Sequence, residues 1–306
     1  MKFSHIPVLL KESVKALNIN PSGIYVDCTA GGGGHSKLIL NELKDGKLIL
    51  IDRDPDAIST LSSKFSADER ATIVNDRFSN ISAILKNLNI EKVDGILADL
   101  GVSSYQLDSP NRGFSFHNDA PLDMRMSKKG VSAFDVVNTY PQDRLKEIIT
   151  LYGEEKFASS IARNIVQKRE KKPIETTFEL VDVIKSSMPK AAQRDAHPAR
   201  RTFQAIRIEV NGELDETKNA LPDMFNSLSE GGHMAIITFH SLEDRIVKEY
   251  FRTLKKGCTC PREFPVCVCG GKPKAIVKGK AITPSQDEVE KNLRSRSAKL
   301  RTAVKL

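Results

Sequence analysis

From residue 24 onward, short apolar runs alternate with stretches whose apolar residues recur three and four positions apart. The runs are rich in aliphatic and β-branched residues and predict strands over Ile24–Asp27, Lys47–Asp52, Ala71–Asn75 and Val93–Asp99. The stretches between them predict helices over 36–43, 55–65 and 81–88. Pro55 behind Asp54 marks a helix start, with the carboxylate as cap and the proline in the first turn. Strands and helices alternating in this way predict a parallel, doubly wound α/β sheet.

The alternation stops after Asp99. Residues 119–205 carry no strand pattern, only helical stripes such as Leu145, Ile148, Ile149 and Tyr152, or Phe178, Val181, Ile184 and Met188. Prolines at 121, 141, 173, 189 and 198 punctuate them. This predicts an all-helical insertion domain between strands four and five. Helical periodicity then runs over 203–228 with a break near Asn211-Gly212, and Gly231-Gly232 leads into a fifth strand over 233–238. A helix over 242–254 follows, and 275–282 and 298–304 read as closing strands. The expected division is a sheet domain built from 1–110 and 206–306, with the helical insertion at 111–205.

The chemistry concentrates where predicted strands end. Asp27-Cys-Thr-Ala-Gly-Gly-Gly-Gly-His35 places four glycines at a strand-to-helix junction, where the backbone can approach a ligand and adopt conformations a Cβ forbids. Asp52 ends the next strand, the usual place for an acidic residue that accepts ribose hydroxyls. The spacing departs from the G-x-G-x-x-G of dinucleotide sites, since Ser36 stands three beyond Gly33. Asp27 beside the loop suits an aminoacyl zwitterion or a sulfonium better than a diphosphate. The pattern favours S-adenosylmethionine over NAD, and a plain glycine turn is the bland alternative. Asp76-Arg77-Phe78 and Asp99-Leu100-Gly101 follow strands three and four and converge on the same sheet edge. Phe78 would flank an adenine or fill the core. Asp99 would accept from an amine or cap a helix.

Bulk properties add a partner and a compartment. The 306 residues are 40% hydrophobic and 28% charged, ordinary for a globular chain, and no apolar run approaches the ~18 residues that span a bilayer. The start has no apolar signal region, so the cytoplasm is expected. A net charge of +8 gathers at 163–172, 194–207 and 272–305, which points to nucleic acid or else to a solvated basic surface. Of five cysteines, Cys28 reads as a small apolar filler. Cys258, Cys260, Cys267 and Cys269 form two C-x-C pairs in the segment 258–269. They suggest a structural zinc, an unliganded thiol cluster or a redox pair.

Six segments together resemble the signatures of one family. They are Asp99-Leu-Gly-Val-Ser-Ser104, Gln106-Leu-Asp108, Arg112-Gly-Phe-Ser-Phe116, Pro121-Leu-Asp-Met-Arg-Met126, Arg201-Thr-Phe-Gln-Ala-Ile-Arg207 and Phe239-His-Ser-Leu-Glu-Asp-Arg245. The family is the bacterial methyltransferase that modifies the exocyclic N4 amine of a cytosine in 16S ribosomal RNA, and the likeness runs from about Ile6 to Arg301. The resemblance implies a Rossmann-like fold of the class I methyltransferase type carrying a helical insertion. It also implies S-adenosylmethionine held by Gly33, Gly34, His35, Asp52, Phe78, Asp99 and Gln106. The implied target is a cytosine in the decoding centre of the small ribosomal subunit, near the P site.

A cytosine amine is a poor nucleophile because its lone pair is delocalised into the ring. An acceptor on its N–H favours pyramidalisation and takes the proton as charge develops. Asp99 and His240 are the candidates for that acceptor, although a histidine at a strand end is as often structural. Phe114 and Phe116 would stack on an extruded base or anchor their loop in the core. Arg112, Arg125, Arg200 and Arg201 are candidate phosphate contacts. Two other readings stay open at this point: a methyltransferase acting on DNA or protein, and a basic RNA-binding assembly factor with a vestigial pocket. The sequence says nothing of oligomeric state.

Overall fold

The computed structural model describes residues 7–194, 197–258, 260, 263–266 and 268–306. Two compact units emerge: Met1–Gly101 with Leu214–Leu306, and Val102–Glu213.

In chain order the first unit contains α1 (Leu10–Leu17), β1 (Ile24–Asp27), α2 (Gly34–Glu42), β2 (Lys47–Asp52), α3 (Pro55–Phe65), β3 (Ala71–Asn75), α4 (Ile81–Asn87) and β4 (Val93–Asp99). The second unit follows with α5 (Ser104–Asp108), α6 (Ala133–Thr139), α7 (Gln142–Gly153), α8 (Ala158–Arg169), α9 (Thr177–Ser186) and α10 (Arg200–Asn211). The first unit then resumes with α11 (Glu213–Ser227), β5 (Leu228–Thr238), α12 (Ser241–Lys256), β6 (Ala275–Val277), α13 (Gln286–Lys291) and β7 (Lys299–Lys305).

The sheet has the order β3-β2-β1-β4-β5-β7-β6. β1 to β5 are parallel, whereas β7 runs antiparallel to both β5 and β6. This is the Rossmann-like doubly wound sheet that the alternation of elements predicts. Its central strands are buried on both faces, so successive residues feed separate cores. Leu48 and Leu50 pack with Tyr25, Leu97, Ile237 and helices α1 to α3. Ile49 and Ile51 pack with Val26, Ile96, Ile236 and helices α4, α11 and α12. Cys28 lies buried in the second of these cores, an apolar filler as expected. Asp54 caps α3 by accepting from Asp56 N at 3.0 Å, with Pro55 in the first turn.

β5 begins earlier than the glycines suggest. Leu228 pairs with Val93 and His233 with Gly95, so β5 carries three more residues than β4 between the two pairings. Gly231, with a φ of 75°, lies within that bulge rather than in a turn before the strand. β6 stops at Val277, short of the expected 282, and Ile282 forms only an isolated bridge to Leu300. Asp244 in α12 accepts from Arg301 Nε at 2.6 Å and from Lys299 Nζ at 3.1 Å, which fastens α12 to β7.

The rim beside the site is tied together by one residue of α11. Glu216 accepts from Arg53 at 2.9 Å and from Arg77 at 2.8 Å, joining α11 to the residues that follow β2 and β3. Its side chain is only 2% exposed. Glu216→Gln removes the charge from both bonds and is expected to destabilise the protein by about 1.5–3 kcal/mol. The shift in urea midpoint measures it, and an unchanged midpoint would show the pairing to be without net worth.

The second unit is all-helical as predicted, but wider than 111–205 on both sides. It starts at Val102, and it includes α10, which packs on α7 and contributes Phe203, Ala205 and Ile206 to the helical core. Asn211 at the end of α10 accepts from Met126 N at 2.9 Å and donates to Met124 O at 2.7 Å. That pair bolts the 121–126 loop to α10. Gly212, with a φ of 63°, then ends the helix at the expected break. The α9 stripe is rotated from expectation: Leu180, Val181, Val183 and Ile184 are buried, whereas Phe178 is 43% exposed.

Candidate active site

The strand order reverses at β1 and β4, and the crevice beyond their carboxyl ends is where a doubly wound sheet takes its ligand. The 28–33 loop, Asp52, the turn at Phe78 and Asp99 all lie at these strand ends, within the first unit.

Asp52 clamps the glycine loop. Its Oδ2 accepts from Gly31 N at 2.8 Å and its Oδ1 from Asp54 N at 2.8 Å. Burial pushes its carboxyl up to about 6 against these hydrogen bonds. Asp27 is almost fully buried, accepting from Ser36 Oγ at 2.6 Å and Thr29 N at 3.2 Å, and burial lifts its carboxyl to about 6 as well. It therefore pins α2 to β1 and contributes charge to the site, not an open oxygen.

The four glycines do different jobs. Gly33 has a φ of 78°, and a Cβ there would press on the Phe65 ring; a Cβ at Gly34 would strike Pro7. The sequence reading nominates these two as cofactor contacts, but packing already explains why neither carries a side chain. Gly31 and Gly32 are the open pair, since a Cβ at Gly32 would meet nothing within 4 Å. Four glycines in a row look alike in sequence, and only the fold distinguishes them. The first turn of α2 has no side-chain cap, so its N–H groups suit a carboxylate.

His35 is buried, with Nε2 3.1 Å from the Val8 carbonyl. A carbonyl only accepts, so Nε2 carries the proton and Nδ1 presents a lone pair. Burial lowers the imidazole to about 4, which keeps it neutral at pH 7. Nδ1 lies 3.9 Å from Asp99 Oδ2.

Asp99 sits at the end of β4 and its N–H donates to Thr29 Oγ1 at 2.6 Å. Its Oδ1 is buried without a hydrogen-bond partner among the described residues. Burial, with the charges of Asp27 and Glu243 added, drives this carboxyl well above the usual range. An orphaned carboxylate oxygen beside two further carboxylates and a neutral imidazole lone pair is a site for a cationic or N–H-donating ligand. These residues fit a sulfonium-bearing amino-acid cofactor.

His240 is differently employed. It caps α12, with Nδ1 accepting from Glu243 N at 3.4 Å, while Nε2 lies 3.0 Å from Glu243 Oε1. A proton acceptor needs a spare lone pair, and the helix start uses this one. Glu243 in turn accepts from Phe239 N at 2.9 Å and shapes the end of β5. Phe78 is half-buried against the core, in a short turn after β3.

The remaining nominees belong to the second unit. Gln106 is buried and closes a capping box on α5, its Oε1 accepting from Ser103 N at 3.0 Å. Arg112 is buried and donates to the carbonyls of Arg125 and Met126, so it folds its loop and is not offered to a phosphate. Phe114 is 5% exposed within the helical core, which removes it from base stacking. Phe116 is half-buried, with one face stacked on His197 at 4.3 Å between centroids and its neighbour Phe203 edge-on at 5.6 Å. Arg125 is paired to Asp123 at 2.7 Å. Arg200 and Arg201 are exposed at the start of α10.

The model of the MraW methylase family matches residues 2–306. A ribosomal RNA small subunit methyltransferase H of Clostridium botulinum (strain Kyoto / Type A2) is 55% identical over 309 residues, covering the whole of both chains. Its counterpart in Brevibacillus brevis (strain 47 / JCM 6285 / NBRC 100599) is 52% identical over 313 residues, covering 100% of this chain and 99% of that one. Among solved structures, an rRNA methylase from Streptococcus thermophilus is similar with a TM-score of 0.46 and 13% identity over 99% of each chain. Matched from end to end by the family model and by relatives sharing more than half its residues, the chain belongs to the MraW methylase family.

Proposed function

We propose that the protein transfers a methyl group from S-adenosylmethionine to the exocyclic N4 amine of a cytosine in 16S ribosomal RNA, in the decoding centre of the small subunit in the cytoplasm. The RNA class rests on the end-to-end likeness to proteins named small subunit rRNA methyltransferases. The chemistry rests on one observation: the buried, partnerless Oδ1 of Asp99 at the switch point of the sheet.

S-adenosylmethionine supplies a methyl group already activated by sulfonium charge. The protein's task is then alignment and proton removal. The uncapped first turn of α2 and the open backbone at Gly31 and Gly32 suit the carboxylate of the amino-acid end. Gly33, Gly34 and His35 shape that turn. Asp52 accepts the ribose hydroxyls, Phe78 flanks the adenine, and Gln106 completes the set carried over from the family. Asp99 accepts an N–H of the cytosine amine, draws its lone pair out of conjugation and takes the proton. Its raised affinity for protons makes it a better base near neutrality than an ordinary carboxylate. Arg200 and Arg201 offer exposed positive charge to phosphates.

The test incubates the protein with labelled methyl donor and small subunits from a strain lacking the modification, then maps the labelled nucleotide by mass spectrometry. The expected product is a single N4-methylcytosine in 16S RNA. Label on another base or on protein, or transfer to duplex DNA instead, would overturn the assignment.

A further inference from the structure

The segment that follows α12 leads from Gly257 to β6. Its two ends are closed backbone to backbone. Gly257 has a φ of 65°, and a Cβ there would strike Lys272 O, while a Cβ on Gly271 would strike Gly257 O. Lys274 N then donates to Leu254 O at 2.8 Å, leading into β6. Between these clamps the large apolar residues among the described ones, Phe264, Val266 and Val268, are exposed. A closed loop with its apolar residues turned outward needs another source of order.

That source is visible in the sulfurs. The Sγ atoms of Cys258, Cys260 and Cys269 all lie within 4.8 Å of one another, and those of Cys258 and Cys269 are 3.6 Å apart. Sulfurs on a tetrahedral zinc, with Zn–S about 2.3 Å, stand about 3.8 Å from each other. A disulfide would need about 2.05 Å. Val268 N donates to Cys260 Sγ at 3.4 Å, which holds that sulfur in place beside the other two. In sequence a fourth thiol, Cys267, belongs to the same segment but lies outside the described residues.

We infer that Cys258, Cys260 and Cys269 bind one structural zinc ion, which folds the 258–271 loop. Each thiol gives up its proton on binding. Three convergent thiolates select a soft or borderline cation, and zinc satisfies the geometry without redox chemistry.

The full-length protein, purified under reducing conditions without chelator, is analysed for metals by plasma mass spectrometry. About one equivalent of zinc is expected, falling below a tenth in the Cys258→Ser/Cys269→Ser double variant. Cobalt(II) exchanged into the wild type should give intense sulfur-to-metal charge-transfer absorption that the double variant lacks. The variant should keep the wild type's affinity for S-adenosylmethionine, which separates loss of metal from loss of fold. A wild type carrying less than a tenth of an equivalent, iron in place of zinc, or a mass two hydrogens light from a disulfide would each overturn the assignment. So would a double variant that retains its metal. None of these results depends on which nucleotide is methylated.

Discussion

Asp99→Asn is expected to lower turnover roughly 10²–10⁴-fold with donor and ribosomal subunits both saturating, the usual contribution of a positioned general base. Asparagine keeps the shape of the side chain and still places a carbonyl oxygen where Oδ1 stands. It therefore accepts an N–H but cannot take the proton, and the negative charge that balances the developing cation is lost. Since Asp99 also faces the donor in the proposed arrangement, its affinity for the donor should change too, but by far less than turnover. Calorimetry on the variant with donor alone separates the two effects. Unchanged turnover would exclude Asp99 as the acceptor. A donor affinity that fell as steeply as turnover would show that the carboxylate serves binding instead.

The site was only partly legible in the sequence, for reasons that differ residue by residue. Asp52 and Asp99 stand at the ends of apolar runs, and a parallel strand buried on both faces has little choice but to be such a run. Once the strands were located, their terminal carboxylates marked the sheet edge. His240 shows the opposite case. A histidine that opens a helix and one that accepts a proton leave the same letter behind, and only the Glu243 N–H at its Nδ1 separates them. Glu216 gave no signal at all, being one acidic residue among several in α11, although it holds two arginines at the rim.

Boundaries failed where tertiary contacts override local pattern. The Gly231-Gly232 pair looks like a turn but serves as a bulge, because Leu228 still finds a partner in Val93. The helical unit extends to Glu213 because α10 buries its apolar face against other helices of that unit, which periodicity alone cannot report. Phe114 and Arg112 carry the residue types of an RNA contact, yet both are buried in their own unit, where the guanidinium lies 5.7 Å from the ring centroid and closes the loop. Motif chemistry names the residue type, whereas burial decides whether a ligand can reach it.

The second large effect concerns the donor and follows from the acidity of the rim. Asp52 must be ionised to accept ribose hydroxyls, yet burial raises its carboxyl to about 6. The folded-state value is raised, so this group favours the fold at low pH and loses that contribution as pH rises through about 6. A ligand that hydrogen-bonds the carboxylate selects the ionised form and releases a proton. Affinity for S-adenosylmethionine should therefore be full above pH 7 and fall as pH drops below about 6, approaching tenfold per unit for each proton released. Asp27, also at about 6, adds a smaller contribution because it reaches the ligand only through its charge. Asp52→Asn should weaken binding at pH 7.5 by about 1.5–3 kcal/mol, which is roughly ten- to hundredfold. It also loses the anion that holds Gly31 N, so the glycine loop slackens with it. The decisive measurement is the pH slope. Calorimetric titrations from pH 5 to 7.5 should show the variant releasing about half a proton fewer than the wild type near pH 6, with the difference approaching one proton toward pH 5. A wild-type affinity that stayed flat across that range would mean the ribose does not rest on Asp52, whatever the variant's affinity.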